Sequence, residues 1–380
     1  MTYRQFIRFP LLALAILGLL AGLWSGLLRL GWELPRSNLD LAMVHGPLMV
    51  CGFLGTLITL ERAVALGRRW TYLVPLVTAA GTCVLLAGVP DTFAPQAITL
   101  GSAGLLAMFA LLIRAQPALF TVTMGIGALA WLMGNALWLS GWPVYEVASW
   151  WMGFLVLTVA GERLELSRFT QRSWASESVF LIIIVMLFAG LTAGGFGTDD
   201  GARLTGFSLV LLAAWLLRYD IARRTVRQSG LTRYVAVCLL SGYVWLGLGG
   251  GLALVTGRAV VGLYYDAVLH AVFVGFVFAM IFGHAPIILP AVVGAVVRFG
   301  PAFYAPLTLL HASLLMRVAG DLGGLATCRL WGGLLNVTAI LLFFANTARA
   351  VLQARTAAPN VPIARSSMTN QFAIKTTGGM

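Results

Sequence analysis

Four histidines are the only imidazoles in the 380 residues: His45, His270, His284 and His311. Each lies in an apolar stretch and none in a polar loop. An ionisable side chain in such a stretch is costly, so it normally faces protein and has a partner there. Imidazole is also the commonest side-chain ligand of haem iron and copper. All four are therefore candidate metal ligands. The plainer alternative for each is a polar group bonded to a carbonyl or hydroxyl at a helix interface.

Spacing sorts them into pairs. His45 lies five residues after Asp40, and His270 lies four after Asp266. At the rise of a helix both sit roughly 6–8 Å inside those acidic markers, which places them to face each other and clamp one haem. His284 lies fourteen residues before Arg298 and His311 thirteen after it, a second pair at similar depth. Pro286 and Pro290 are expected to bend the helix after His284 or end it early. His270 and His284 share one helix. Fourteen residues turn through about 1400° and rise about 21 Å, so both are expected on nearly the same face. That spacing resembles the histidine pair of di-haem b-type cytochromes.

The elements that must hold these groups read as membrane helices. Of the residues 60% are hydrophobic, only 10% are charged, and 43 are glycine. Apolar blocks of roughly 18–25 residues recur, the length that crosses a hydrocarbon layer of about 30 Å as a helix. The short alternating segments of a membrane barrel do not occur. The expected spans are 10–31, 41–60, 72–90, 95–114, 119–140, 144–164, 177–197, 203–218, 233–256, 266–290, 302–320 and 328–352. The fold class is thus an all-α integral membrane protein with about twelve transmembrane helices. Residues 1–353 form the bundle, and 354–380, polar with scattered Pro, Ser and Gly, read as a disordered cytoplasmic tail. The run up to Trp32 is too long for a cleaved leader and reads as a retained first helix.

Nineteen of the 25 basic residues fall on the side of the N-terminus and tail, and eight of the 13 acids on the other. An excess of Arg and Lys marks the cytoplasmic face, so both ends are expected inside, in a bacterial-type inner (plasma) membrane. The net charge of +12 is then topology, and no soluble region is left to carry a nucleic-acid patch. Cys51, Cys83, Cys238 and Cys328 are isolated, with no CxxC or CxxCH among them; they read as small hydrophobes.

The second span, MVHGPLMVCGFLGTLITLERAVALGRRW, places a histidine at its outer end before small and apolar residues. It resembles subunit I of haem–copper oxidases and nitric oxide reductases, as do the twelve spans, the cytoplasmic termini and a histidine on the tenth span. In that family the second and tenth helices supply the axial ligands of the low-spin haem; the resemblance implies that role for His45 and His270. The segment HAVFVGFVFAMIFGHAPIILP and the later LLMRVAGDL also resemble the NnrS family of haem- and copper-containing membrane proteins. The chain departs from the oxidases in two ways. Spans six and seven lack histidine, and the tenth lacks a closely spaced histidine pair. The usual haem–copper centre cannot be assembled, so the chain either keeps only the low-spin haem or builds another site from His284 and His311.

The expected cofactor is haem b, one or two, with copper as a further candidate. Propionates need cationic partners, and Arg36, Arg258 and Arg317 lie on the outer side; Arg317 is taken as a cofactor-binding candidate, and Arg258 as a snorkelling side chain. Glu61 with Arg62, and Glu162, Arg163 and Glu165, read as ion pairs at the cytoplasmic surface. Tyr264 and Tyr265 lie close enough to His270 to line a haem or quinone pocket. The leading reading is a b-type haem protein for electron transfer or a response to nitric oxide or oxygen, partnered by the lipid bilayer and by a quinol or cytochrome donor. The alternatives are a secondary transporter or channel using its intramembrane histidines, and a carrier that hands metal or haem to another complex.

Overall fold

The computed structural model describes residues 3–35, 41–88, 92–167, 173–294 and 296–356. Asp40, Arg36 and the tail from 357 onward lie outside the described residues. Among the described residues there is no strand. Twelve helices among the described residues are long and apolar enough to cross a membrane: α1 Ile7–Leu30, α2 Pro47–Leu66, α3 Arg69–Ala87, α4 Phe93–Ala115, α5 Leu119–Leu139, α6 Val144–Leu166, α7 Trp174–Gly195, α8 Asp199–Tyr219, α9 Gly230–Thr256, α10 Leu263–Pro290, α11 Pro301–Gly323 and α12 Ala326–Ala354. The protein is therefore an all-α, multi-pass membrane protein.

Local chemistry sets the helix ends. The hydroxyls of Ser173 and Thr198 cap α7 and α8, accepting from the main-chain N–H of Ser176 and Gly201 at 3.2 Å each. Side chains invert the soluble pattern. Leu100, Ile182, Val185 and Leu315 are exposed where lipid would lie, whereas Thr59, Thr78, Ser102, Asn135 and Ser208 are fully buried. Most of these hydroxyls donate to a carbonyl one turn back, as Thr59 does to Gly55 O at 2.7 Å. That keeps the hydrogen bond inside the segment, which a hydrocarbon surround demands.

Glycine permits the closest crossings. Where α8 meets α9, a Cβ on Gly206 would lie 2.4 Å from Leu254 N, and one on Gly250 would lie 2.7 Å from Gly206 O. Along α1, Gly18, Gly22 and Gly26 stand four residues apart and turn one face to α2. A Cβ on Gly18 would meet the Gly52 carbonyl carbon at 3.0 Å, and one on Gly22 the Met49 sulfur at 2.6 Å. Small residues at this interval let helix backbones approach in lipid.

Two helices are not regular. Pro47–Gly55, which opens α2, and Ala271–Phe278, within α10, are π-helical. His45 precedes the first by two residues, and His270 adjoins the second. Such wide turns are rare and concentrate at functional sites. At the second, a Cβ on Gly275 would lie 2.4 Å from Trp245 Cγ, so the indole of α9 presses on the widened turn. The fourteen residues from His270 to His284 therefore cross a widened stretch, and the regular step of about 100° from which their shared face was expected does not hold across it. Nor do Pro286 and Pro290 end the helix early: it continues through both to Val293.

Substituting Gly206 by Val should force α8 and α9 apart. The expected result is a lower unfolding temperature of the detergent-purified protein, followed by tryptophan fluorescence, with Gly251→Val as a control, since a Cβ at Gly251 meets nothing within 4 Å.

Candidate functional site

A large cavity lies where α1 ends, α2 begins and α10 begins. His45 and His270 both line it, with Leu23, Val50, Leu269 and Phe273 among its apolar walls and Arg317 and Arg329 on its polar side. Its empty volume is about 1160 Å³, open mouth included. The two imidazoles are near-parallel, with 12° between planes and ring centroids 6.4 Å apart. The pairing expected from depth along the sequence is thus a pairing in space.

Each ring is oriented by a main-chain carbonyl. His45 Nδ1 lies 2.7 Å from Gly22 O, and His270 Nδ1 lies 2.8 Å from Asp266 O. A carbonyl only accepts, so Nδ1 carries the proton and Nε2 keeps the free lone pair. Fixing a histidine through its other nitrogen is how metal-ligating imidazoles are held. Gly26 clears the space for the first ring: a Cβ there would lie 2.8 Å from His45 Cε1.

Charge collects at the same end. Asp266 accepts from Arg317 Nη2 at 2.8 Å and Nε at 3.3 Å, and its carboxylate stands 3.4 Å from His270 Nδ1. Arg329 Nε sits 2.8 Å from Asp321 and 3.9 Å from Asp266. Arg29 also lines the cavity. Arg317 is where the sequence places it, beside both histidines. Arg258 is elsewhere: its Nη2 donates to both oxygens of Glu146, at 2.6 and 2.7 Å, and is not a simple snorkelling group.

His284 and His311 do not join the first pair at the cavity. His284 Nδ1 lies 2.8 Å from Met280 O, and its Nε2 lies 3.4 Å from Arg163 Nη1. His311 accepts from Trp245 Nε1 at 3.0 Å through Nδ1. Among the described residues no group of three or more His, Cys, Asp or Glu could hold a metal ion.

Arg163 belongs to a buried network at the opposite end of α6. It grips Asp220 with two bonds, Nε to Oδ2 at 2.8 Å and Nη2 to Oδ1 at 3.0 Å. Tyr243 donates to the same carboxylate at 2.9 Å, and Ala222 N donates to it at 2.6 Å. Arg62 bridges Glu61 and Glu162. Expected as surface pairs, these arginines are in fact buried, Arg62 at 8% and Arg163 at 4% exposure. The cause is distance along the chain: Asp220 and Tyr243 lie 57 and 80 residues from Arg163, beyond any local pattern. Gly22 and Gly26 were also missed as site residues, although their four-residue interval with Gly18 is visible in the sequence.

The molecule is thus a polytopic helical membrane protein enclosing a two-histidine chamber near one face. The family described as a domain of unknown function, DUF8744, matches residues 8–352, and the chain belongs to that family. No curated protein matches the sequence.

Removing one partner of the Arg163–Asp220 pair strands a buried charge, at a cost of about 3–5 kcal/mol. Asp220→Ala should lower the unfolding temperature markedly in detergent. Arg163→Met combined with Asp220→Leu should recover most of the loss, because no buried charge remains unpaired.

Proposed function

We propose that the chamber holds one haem b between His45 and His270, in a membrane protein that carries single electrons. The near-parallel imidazoles 6.4 Å apart carry this reading. A metal–imidazole bond is about 2 Å, so two imidazoles on opposite sides of one metal have centroids about 6 Å apart. The extent of the chamber's lining favours a macrocycle over a bare ion. A bare ion needs only the gap between the rings, whereas the lining runs on through apolar side chains of α1, α2, α10 and α12. Haem also needs cations for its propionates, and Arg29, Arg317 and Arg329 are the side chains that would supply them.

The residues divide the work. His45 and His270 would bind the iron, and the carbonyls of Gly22 and Asp266 hold their rings in one tautomer. Gly26 leaves the first ring its place. The apolar walls exclude water and lower the local dielectric, which tunes the potential of a bound haem. Haem between two protein ligands supplies one-electron transfer and leaves no open position for a gas, so electron transfer is favoured over nitric oxide or oxygen reduction. The donor would be a quinol or a cytochrome. The bias of basic residues supports cytoplasmic termini in a bacterial-type plasma membrane. A second haem or a copper at His284 would have to displace Arg163 from its Nε2.

Pyridine haemochrome assay and reduced-minus-oxidised spectra of the purified protein test this. The expected result is sharp b-type bands at about one haem per chain. His45→Ala and His270→Ala should each lose most of the haem, whereas His284→Ala should keep it. Colourless protein from cells well supplied with haem would defeat the reading and favour a transporter.

Gly26→Ala offers a finer check, because its methyl would press on His45. The expected result is a shifted haem midpoint potential or reduced haem content, while Gly251→Ala, with nothing within 4 Å of the added methyl, leaves the spectrum unchanged.

A further inference from the structure

A second cavity lies between the outer ends of α6, α7, α8, α9 and α10, with an empty volume of about 650 Å³, open mouth included. Tyr265 and Leu269 line both this cavity and the histidine chamber, so in places one side chain separates the two. Leu269 is the residue before His270. Inside the second cavity stand Glu146 and Arg258, paired as described, with Ser149 one turn along α6. Arg258 also donates its main-chain N–H to Asp199 at 2.8 Å, which anchors the loop after α9. Its Nε is buried without a hydrogen-bond partner. Met152, Leu191, Val268 and Leu269 give the cavity an apolar wall.

We propose that this cavity binds the head group of a lipophilic hydroquinone, the electron donor to the haem; the proposal rests on the haem reading above. Three features select that chemistry. The cavity lies among the ends of five membrane-crossing helices and has an apolar wall, which suits a ligand with a hydrocarbon tail. It holds a carboxylate able to accept from a hydroxyl and a guanidinium able to donate to a carbonyl, the two states of one ring oxygen. It also shares a wall with the chamber that would receive the electrons. Oxidation of one hydroquinone to quinone breaks two O–H bonds and releases two electrons and two protons. A haem held by His45 and His270 would take up one electron, and the second electron of each hydroquinone would go to the haem of a second chain, so two chains would be reduced per hydroquinone. Glu146 accepts the first proton, passes it to water at the outer face, and then accepts the second.

The test uses the full-length protein in detergent with decylubiquinol and decylubiquinone. Decylubiquinone should bind saturably by calorimetry, and decylubiquinol should reduce the b-type absorption at two haems per quinol. Glu146→Gln should keep its dithionite-reducible haem but slow reduction by quinol at least tenfold and weaken quinone binding. Glu146→Asp, which keeps the carboxylate, should restore both in part. Full dithionite-reducible haem with no quinone binding, or Glu146→Gln indistinguishable from the parent, would overturn the proposal. If the protein carries no haem, the haem reading fails and the isotherm alone decides this site: saturable binding weakened by Glu146→Gln supports it, and no binding overturns it.

Discussion

Every polar group inside the bundle must find its partner within the protein, because hydrocarbon offers none. The two site histidines meet that demand through Nδ1 alone, by bonding to Gly22 O and Asp266 O. The consequence reaches beyond satisfaction of the ring. One nitrogen is spent on the scaffold, so the other faces the remaining space with its lone pair and in a fixed orientation. His284 meets the same demand with both nitrogens, and it is held as a structural element of the Arg163 network. His45 and His270 thus differ from His284 in how many ring atoms the protein itself uses, although all three lie in similar apolar stretches.

The helices bend to this arrangement. A regular α2 and a regular α10 would follow a 3.6-residue period, yet each widens into a π turn beside its histidine. Pro47 has no N–H to contribute, which gives a local cause on α2. On α10 the cause is tertiary: Trp245 of α9 presses on Gly275, and the same indole is anchored through its N–H to His311 on α11. His311 therefore contributes to the chamber at a distance, by holding the tryptophan that packs against the widened turn.

The spans, the all-helical class and the pairing of His45 with His270 were legible because each depends on local quantities: block length, apolar fraction and distance from a charged marker. Arg317 was legible for the same reason, lying six residues past His311 in a helix that had to cross. What depends on several helices at once was not legible. Asp220 reads as the end of one helix and Tyr243 as the middle of another, and only the fold brings both to Arg163. The widened turn between His270 and His284 was not legible because a π turn has no composition of its own; AVFVGFVF is an ordinary apolar run. Arg258 looked like a solitary interfacial cation because Glu146, its partner, is 112 residues away.

The two ends of the bundle are built in opposite ways. At the end where α1 finishes, the histidine chamber and the Glu146–Arg258 cavity open space between helices. At the other end, arginines close on carboxylates: Arg163 on Asp220 with Tyr243, and Arg62 between Glu61 and Glu162. A carrier that exposes one site alternately to both faces needs an element with two packings of similar energy. A doubly bonded guanidinium–carboxylate pair at 4% and 1% side-chain exposure is a poor hinge, since parting it strands two charges in the interior. An electron carrier has no such need. It must hold a fixed distance between donor and acceptor and keep water away from both, and rigidity at the far end serves that purpose. The asymmetry of the bundle thus supports one-sided redox chemistry over transport through the middle.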